Sequence, residues 1–437
     1  MTGRGVSLGS QPPGGSEAAY PGAGYAWTVV AILIGTAILS YTDRQVLSLL
    51  VDPIRRDLHI GDTRISLLLG TAFAVVYGIA GIPLGHLADR VSRRNLILAG
   101  VAIWSAGTIA CGLSADFGQL FAGRVVVGLG EAVLSPAAIS LISDYFPPAR
   151  RGLAVGSFLC GIAVGIGASI LIGGGVLKVV ESGVLSGTAI GAYAPWRLVL
   201  LLIGAPGILW AGMILLIKEP GRRTATPASG AASPRGAATA AWGSVASMYL
   251  VVAAASFVDN AVGAWAPSLL IREFHRDAAQ IGVELGLLLS VGFGGGVLLG
   301  GWFADRAGAR GAWRGKLRVC LLAGLAILPV ACLMNSGRFA VVLAAIPAYF
   351  ALSGMVTAAG FSAILDVVPG GSRGLAMAIS FFLNVALGAG IGPTAVAMIG
   401  AHVFGAAAGL GPAIAMTAAG GYLVAVAAAG TPLWMRR

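Results

Sequence analysis

Charged residues are scarce in this chain. Only 10% of its 437 residues are Asp, Glu, Lys or Arg, against about 25% in an average soluble domain. Apolar residues make up 57%, and the mean hydropathy is +0.89. This balance excludes a soluble globular domain and places the chain among polytopic membrane proteins. Cysteine is scarce as well. Cys111, Cys160, Cys320 and Cys332 each stand alone in an apolar run, so neither a disulfide framework nor a metal-binding spacing is present. The phosphate-binding pattern G-x-x-x-x-G-K-[ST] is missing, which excludes ATP as the energy source. The 67 glycines do not follow strand-like segments, which excludes a dinucleotide fingerprint. No nucleophile–base pair or metal constellation is visible, so the chain is expected to be neither an enzyme nor a cofactor carrier. Histidine contributes little: His86 falls at the end of an apolar run, and His59, His275 and His402 in loops.

Apolar runs long enough to cross a bilayer, about 20 residues each, lie near 26–51, 63–87, 95–114, 117–143, 152–177 and 197–217. A second set lies near 242–270, 279–304, 316–335, 338–366, 373–400 and 408–434. The expected fold is therefore all-α, with twelve transmembrane helices in two six-helix bundles. Residues 1–25 read as a disordered N-terminal tail, 26–217 as the first bundle, 218–241 as a polar, Pro-, Gly- and Ser-containing linker, and 242–437 as the second bundle. The first run lacks a small-residue cleavage site and reads as a retained span.

The few charges are unevenly placed. Formal net charge is +11, which in a soluble chain would suggest nucleic acid. Here 18 of the 28 Lys and Arg residues fall on one set of loops and in the two tails. The positive-inside bias then puts both termini in the cytoplasm of a cell inner membrane, and no nucleic-acid partner is expected. Arg55, Arg56 and Arg64, on the opposite side, are exceptions.

The two halves repeat. Gly85-His86-Leu87-Ala88-Asp89-Arg90 answers Gly301-Trp302-Phe303-Ala304-Asp305-Arg306, and Asp43 answers Asp259, both pairs of aspartates lying 216 positions apart. Arg151-Gly152-Leu153-Ala154 answers Arg373-Gly374-Leu375-Ala376 at a similar offset. Parallel duplicated halves of this kind are a transporter architecture.

Charges inside the apolar runs draw the most attention, because each costs a few kcal/mol in hydrocarbon on insertion scales. Tyr41-Thr42-Asp43-Arg44 interrupts the first run, and Arg124 and Glu131 the fourth. Arg124 and Glu131 are seven apart, about two helical turns, and share a face. Asp43 and Arg44 are adjacent and diverge by about 100°, so at most one faces Arg124 squarely. Asp43 is the expected partner, leaving Arg44 for an anionic group. The plainer alternatives are a structural ion pair locking two helices and, for Arg44, snorkelling to the headgroups. Asp259 is the polar candidate of the second half, with an N-cap or kink role near Gly263 and Pro267 as the alternative. In span 5, Gly161, Gly165, Ser169 and Gly173 recur every four residues as a face for close helix contact. Gly388, Gly390 and Gly392-Pro393 suggest a flexible span 11.

The stretch Gly85 to Arg94, with its second copy Gly301 to Arg310, resembles the signature of the loop between spans 2 and 3 in the major facilitator superfamily. The twelve spans, the duplication and the central linker extend that resemblance over the whole chain. Gly85 is expected to let span 2 approach a neighbouring helix, Asp89 to face a helix N-terminus of the other half, and Arg93 to pair with Asp144. The resemblance makes these groups, with Asp305, a conformational latch holding the outward-facing state; for Arg94 a solvated, topology-setting role is expected. Tyr41-Thr42-Asp43-Arg44-Gln45 with Asp52-Pro53, Gly123-Arg124 through Glu131-Ala132, and Ser143-Asp144-Tyr145-Phe146-Pro147 are similar to the Spinster branch, whose animal members export lysolipids. The resemblance implies a central cavity lined by the charged faces of spans 1 and 4.

The expected function is alternating-access secondary transport, with Asp43 and Glu131 carrying the coupling proton. Arg44, Arg124, Tyr41 and Asp259 would hold an amphiphilic anion such as a lysolipid. Protons, an anionic or amphiphilic small molecule and membrane lipids are the expected partners of a monomer. A small organic-anion symporter and a non-transporting receptor or scaffold are the alternatives. The nearly wholly Ala, Gly, Leu and Val spans of the second half favour the amphiphile.

Overall fold

Residues that cannot leave backbone N–H and C=O groups unpaired in hydrocarbon must form helices, and the described chain does so twelve times at membrane-crossing length. The structure is a computed structural model, and it describes residues 20–88, 90–221, 238–368, 373–405 and 409–434. Spans 1–6 are Ala23–Ser48, Asp62–Gly81, Arg93–Leu113, Phe117–Tyr145, Leu153–Glu181 and Pro195–Ile214. Spans 7–12 are Ser244–Phe274, Ala278–Ala309, Ala312–Leu333, Phe339–Val367, Ile379–Phe404 and Gly411–Leu433. The all-α, twelve-span expectation holds. Most of the N-terminal tail and of the linker expected at 218–241 lies outside the described residues.

Polar residues set the ends. Asp116 caps span 4 by accepting from Gln119 N at 2.9 Å, Asp277 caps span 8 through Gln280 N at 2.8 Å, and Pro195 opens span 6. Spans 8 and 9 are joined by a turn so tight that helical hydrogen bonding runs from Ala278 to Leu333, broken in direction where Ala312 takes φ 46°. With twelve spans, the chain enters and leaves on one face, called here the terminal face; the other is the far face.

Close packing within and between halves follows the small residues. A Cβ on Gly161 would meet Ile34 of span 1 at 2.7 Å, and one on Gly173 would meet Val46 at 3.0 Å, so the four-residue glycine face of span 5 seats span 1 as expected. A second face of the same helix was not singled out in the sequence. Gly167 and Gly174 meet span 8, where a Cβ on Gly282 would stand 2.6 Å from Gly174 Cα. Spans 2 and 11 form the other seam between halves. Each departs there from α-helical pairing into a π-helical turn, Leu67–Thr71 in span 2 and Asn384–Ala389 in span 11. The Thr71 hydroxyl donates to the Gly390 carbonyl at 2.8 Å across the seam. Of the span 11 glycines, Gly388 lies in the π turn and Gly390 and Gly392 in the α-helix Gly390–Ile399 that follows, and Trp265 of span 7 donates to the Pro393 carbonyl at 2.8 Å.

Ion pairs close the far face. Arg272, at the end of span 7, donates to Asp52 Oδ1 at 2.8 Å and to both carboxylate oxygens of Asp62 at 2.9 Å. Asp52 lies in the short helix Val51–Leu58 between spans 1 and 2, so one guanidinium ties the halves together. Arg55, one of the exceptions to the charge bias, reaches Asp62 at 3.1 Å and Asp52 at 3.7 Å. Its place on the far face is explained by these carboxylates. Toward the terminal face the contact thins: Gly78 approaches Phe382 only at van der Waals distance, 3.7 Å for an added Cβ. At Gly85 a Cβ would meet nothing within 4 Å, so the close approach expected there is not made in this state.

Candidate functional site

Four charged side chains gather where spans 1, 2 and 4 meet. Asp43, Arg124 and Glu131 are buried, and Arg44 keeps 17% of its side chain exposed. Seven residues of helix carry Arg124 and Glu131 along one face, as the spacing requires. Their partners differ from expectation. Arg44 Nη2 donates to Glu131 Oε2 at 2.6 Å. Arg124 makes no ion pair with Asp43; its Nη1 donates to the Asp43 backbone carbonyl at 3.2 Å and its Nε to the Leu68 carbonyl at 3.3 Å. Adjacent residues on a helix point apart, and it is Arg44, not Asp43, whose side chain reaches span 4. The π turn in span 2 helps Arg124, because Leu68 lies within it and turns a carbonyl toward the guanidinium.

Aromatic rings enclose Arg44. Its guanidinium carbon is 4.0 Å from the Phe73 ring centroid, 4.8 Å from Tyr41 and 5.5 Å from Tyr77. Such faces attract a cation, so Arg44 is held by rings as well as by Glu131 and does not snorkel to the headgroups. Phe73 and Tyr77 carried no signal in the sequence beyond being aromatic on span 2. The cluster leaves Asp43 Oδ1, Arg44 Nε, Arg124 Nη2 and Glu131 Oε1 buried without a hydrogen-bond partner. Buried polar atoms are nearly always paired, so four orphans in one cluster make this the candidate site.

Asp259 does not join this cluster. It sits at the midpoint of span 7, where its Oδ1 accepts from the Tyr349 hydroxyl at 2.7 Å and from Ser353 Oγ at 2.5 Å, both on span 10. It lies inside the continuous helix Ala238–Phe274 and is not an N-cap. Nearby, Asn384 of span 11 donates to Ser256 Oγ at 2.7 Å.

On the terminal face Arg93 pairs with Asp144, as expected, and also donates to Glu219 Oε1 at 2.8 Å and to Ser140 Oγ at 3.2 Å. Glu219, just after span 6, accepts in addition from Ser92 and from the Arg94 backbone, each at 2.9 Å. Burial alone would raise the Glu219 carboxyl; the bonds from the Arg94 N–H, Arg93 and Ser92, together with the Arg93 charge, hold it below the usual glutamate value. Arg94 is less free than expected, its Nε donating to Asn95 Oδ1 at 3.0 Å. All these groups belong to the first half. Asp89 lies outside the described residues. Asp305 is exposed and forms no ion pair among the described residues. Its half uses instead Lys316 and Asp366, 2.6 Å apart at the start of span 9 and the end of span 10. The signal was available: Asp366 follows Asp144 by 222 positions, the offset that also separates Arg373 from Arg151.

Comparison with known proteins agrees with the twelve-span fold. The family model described as Major Facilitator Superfamily matches residues 33–393. An MFS-type efflux pump of Mycolicibacterium smegmatis is 30% identical over 382 residues, 86% of this chain and 84% of that protein. Protein spinster of Drosophila melanogaster is 31% identical over 196 residues, 45% of this chain but only 30% of that protein. Among solved structures, a bacterial homologue of the human lysosomal transporter Spinster, in an inward-facing and unoccupied conformation, superposes with a TM-score of 0.75 at 25% identity. That match covers 94% of this chain and 96% of the other.

Proposed function

The chain belongs to the major facilitator superfamily and is a Spinster-like transporter, and we propose that it moves an amphiphilic anion such as a lysolipid by proton-coupled alternating access. The observation that carries this reading is the buried cluster of Asp43, Arg44, Arg124 and Glu131 with its four unpartnered polar atoms. With both termini in the cytoplasm of an inner membrane, the closed far face is outside and the described state faces inward. Protonation of Glu131 would release Arg44 from its ion pair, leaving a guanidinium ringed by Tyr41, Phe73 and Tyr77 for an acidic headgroup. Asp43, beside Arg124, supplies the second carboxyl whose charge can change as the halves move. The apolar walls of spans 7–12 suit an acyl tail.

Within this reading Arg93 and Asp144, with Glu219, keep the terminal end of the first bundle rigid, and Gly85, Asp89 and Asp305 act when the halves close there. The strip of Ser256, Asn260 and Asn384 favours the second reading, a small organic-anion symporter, since it gives the second half polar groups that an acyl tail does not need.

Flux of a fluorescent lysophospholipid into proteoliposomes, with and without an imposed pH gradient, tests the proposal. Wild type should respond to the gradient, and Asp43→Asn should bind the lipid yet lose that response. Gradient-driven flux that persists in Asp43→Asn moves coupling to Glu131. A wild type indifferent to the gradient removes proton coupling, and uptake of small carboxylates in place of the lipid selects the second reading.

A further inference from the structure

We propose that Asp259, with Tyr349, Ser353 and Tyr422, forms a second proton-binding site, in the C-terminal bundle and separate from the Asp43–Glu131 cluster. Asp259 occupies the midpoint of span 7. A carboxylate there needs a cation or a proton, because two hydroxyl donors offset only part of the cost of a buried charge. No Lys or Arg stands within ion-pair distance of it among the described residues. Span 7 carries Arg272, but that guanidinium is engaged with Asp52 and Asp62 at the far face. Span 10 brings Tyr349, span 12 Tyr422, span 9 Cys320, and the adjoining part of span 11 only Asn384 and glycines. The first bundle differs: its carboxylates lie among two arginines.

The makeup of the cluster suits a proton rather than a metal ion. Only one carboxylate is present, and no grouping of three or more His, Cys, Asp or Glu side chains exists among the described residues. Hydroxyls can donate or accept by rotating. They can donate to the charged form, as Tyr349 and Ser353 do, and one can turn to accept from the neutral form. Tyr422 supplies the spare: its buried hydroxyl stands by Tyr349 and Ser353 but makes no hydrogen bond of normal geometry, and its ring lies 5.9 Å from that of Tyr349. Asp259 is half-buried, and no bond forms to its Oδ2 among the described residues. Asp259 also stands 216 positions after Asp43, so the duplicated halves each place one aspartate on their first helix. One half surrounds it with charge and the other with hydroxyls.

Dicyclohexylcarbodiimide, which attacks protonated carboxyls in apolar surroundings, tests the site without a transport substrate. The full-length protein in nanodiscs is treated across a pH series, and the modified residue is located by peptide mass spectrometry. Label on Asp259 at neutral pH, falling as pH rises and unchanged in the Asp43→Asn/Glu131→Gln variant, is the expected result. The infrared difference spectrum between acid and alkaline protein gives a second measure, in which Asp259→Asn should lose one protonated-carboxyl band. Ser353→Ala, which removes a donor to the charged form, should move the fall of label to higher pH. Asp259 unlabelled at every pH, with an infrared spectrum that Asp259→Asn leaves unchanged, overturns the proposal. So does label that disappears when Asp43 and Glu131 are neutralised, which would make the two sites one.

Discussion

Arg44 on span 1 and Glu131 on span 4 form an ion pair of 2.6 Å inside the first bundle, and the neighbouring Arg124 is left to bind backbone carbonyls. That pairing makes Glu131 the restraint on Arg44, while Asp43 and Glu131 each keep one unmatched carboxylate oxygen.

Removing one member of a buried pair strands the other, at about 3–5 kcal/mol in a dry site. Partial exposure of Arg44 lowers that for Glu131→Gln to roughly 1–3 kcal/mol. The double variant Arg44→Gln/Glu131→Gln should recover part of the loss, because no unpaired charge remains. Thermal unfolding in detergent measures both. Additive losses would mean that the pair does not couple.

Arg272→Gln should shift the two-state balance toward molecules open on the far face. Three carboxylate contacts are lost, in a network partly exposed to solvent and therefore worth about 1 kcal/mol, or roughly fivefold in population. Cysteine accessibility from each side reports the balance. An unchanged distribution would show that the glycine seams alone close this face.

Gly282→Ala tests those seams. Its Cβ would stand 2.6 Å from Gly174 Cα, and backbone cannot yield as a flexible side chain can. The far-face-closed state should lose about 1–3 kcal/mol, the usual cost of overpacking, with the same accessibility shift as Arg272→Gln. Gly85→Ala, which meets nothing within 4 Å, should leave this state unchanged and serves as the control.

Glu219 links the terminal face to pH. Its folded carboxyl titrates below the unfolded value of 4.5, so its contribution to stability is present above that value and is lost as pH falls through the lower folded one. The stability gap between wild type and Glu219→Gln should be constant at neutral pH and shrink in acid below the unfolded value. Melting temperatures across an acid series measure it; a gap that widened in acid would reverse the sign of the argument.

Span number and the duplication were legible in the amino-acid sequence, the span ends only to within about six residues, because hydrocarbon admits almost nothing but long apolar helices and each half had to repeat the same solution. The residues of the charge cluster were legible for the same reason: Asp43, Arg44, Arg124 and Glu131 interrupt runs that otherwise exclude charge. Arg93 and Asp144 were paired in advance through the resemblance of their loop. Partner choice within the cluster was not legible. Whether Arg44 or Asp43 meets span 4 depends on helix rotation and on a π turn in span 2 that delivers the Leu68 carbonyl to Arg124, and neither is written in residue spacing. Only the tertiary structure brought Arg272 to Asp52 and Asp62 across some two hundred residues. It alone put Tyr349, Ser353 and Tyr422 around Asp259 and turned the two faces of span 5 toward different helices. The sequence by itself determined which residues must be buried in the membrane; the packing of the two halves decided which of them meet.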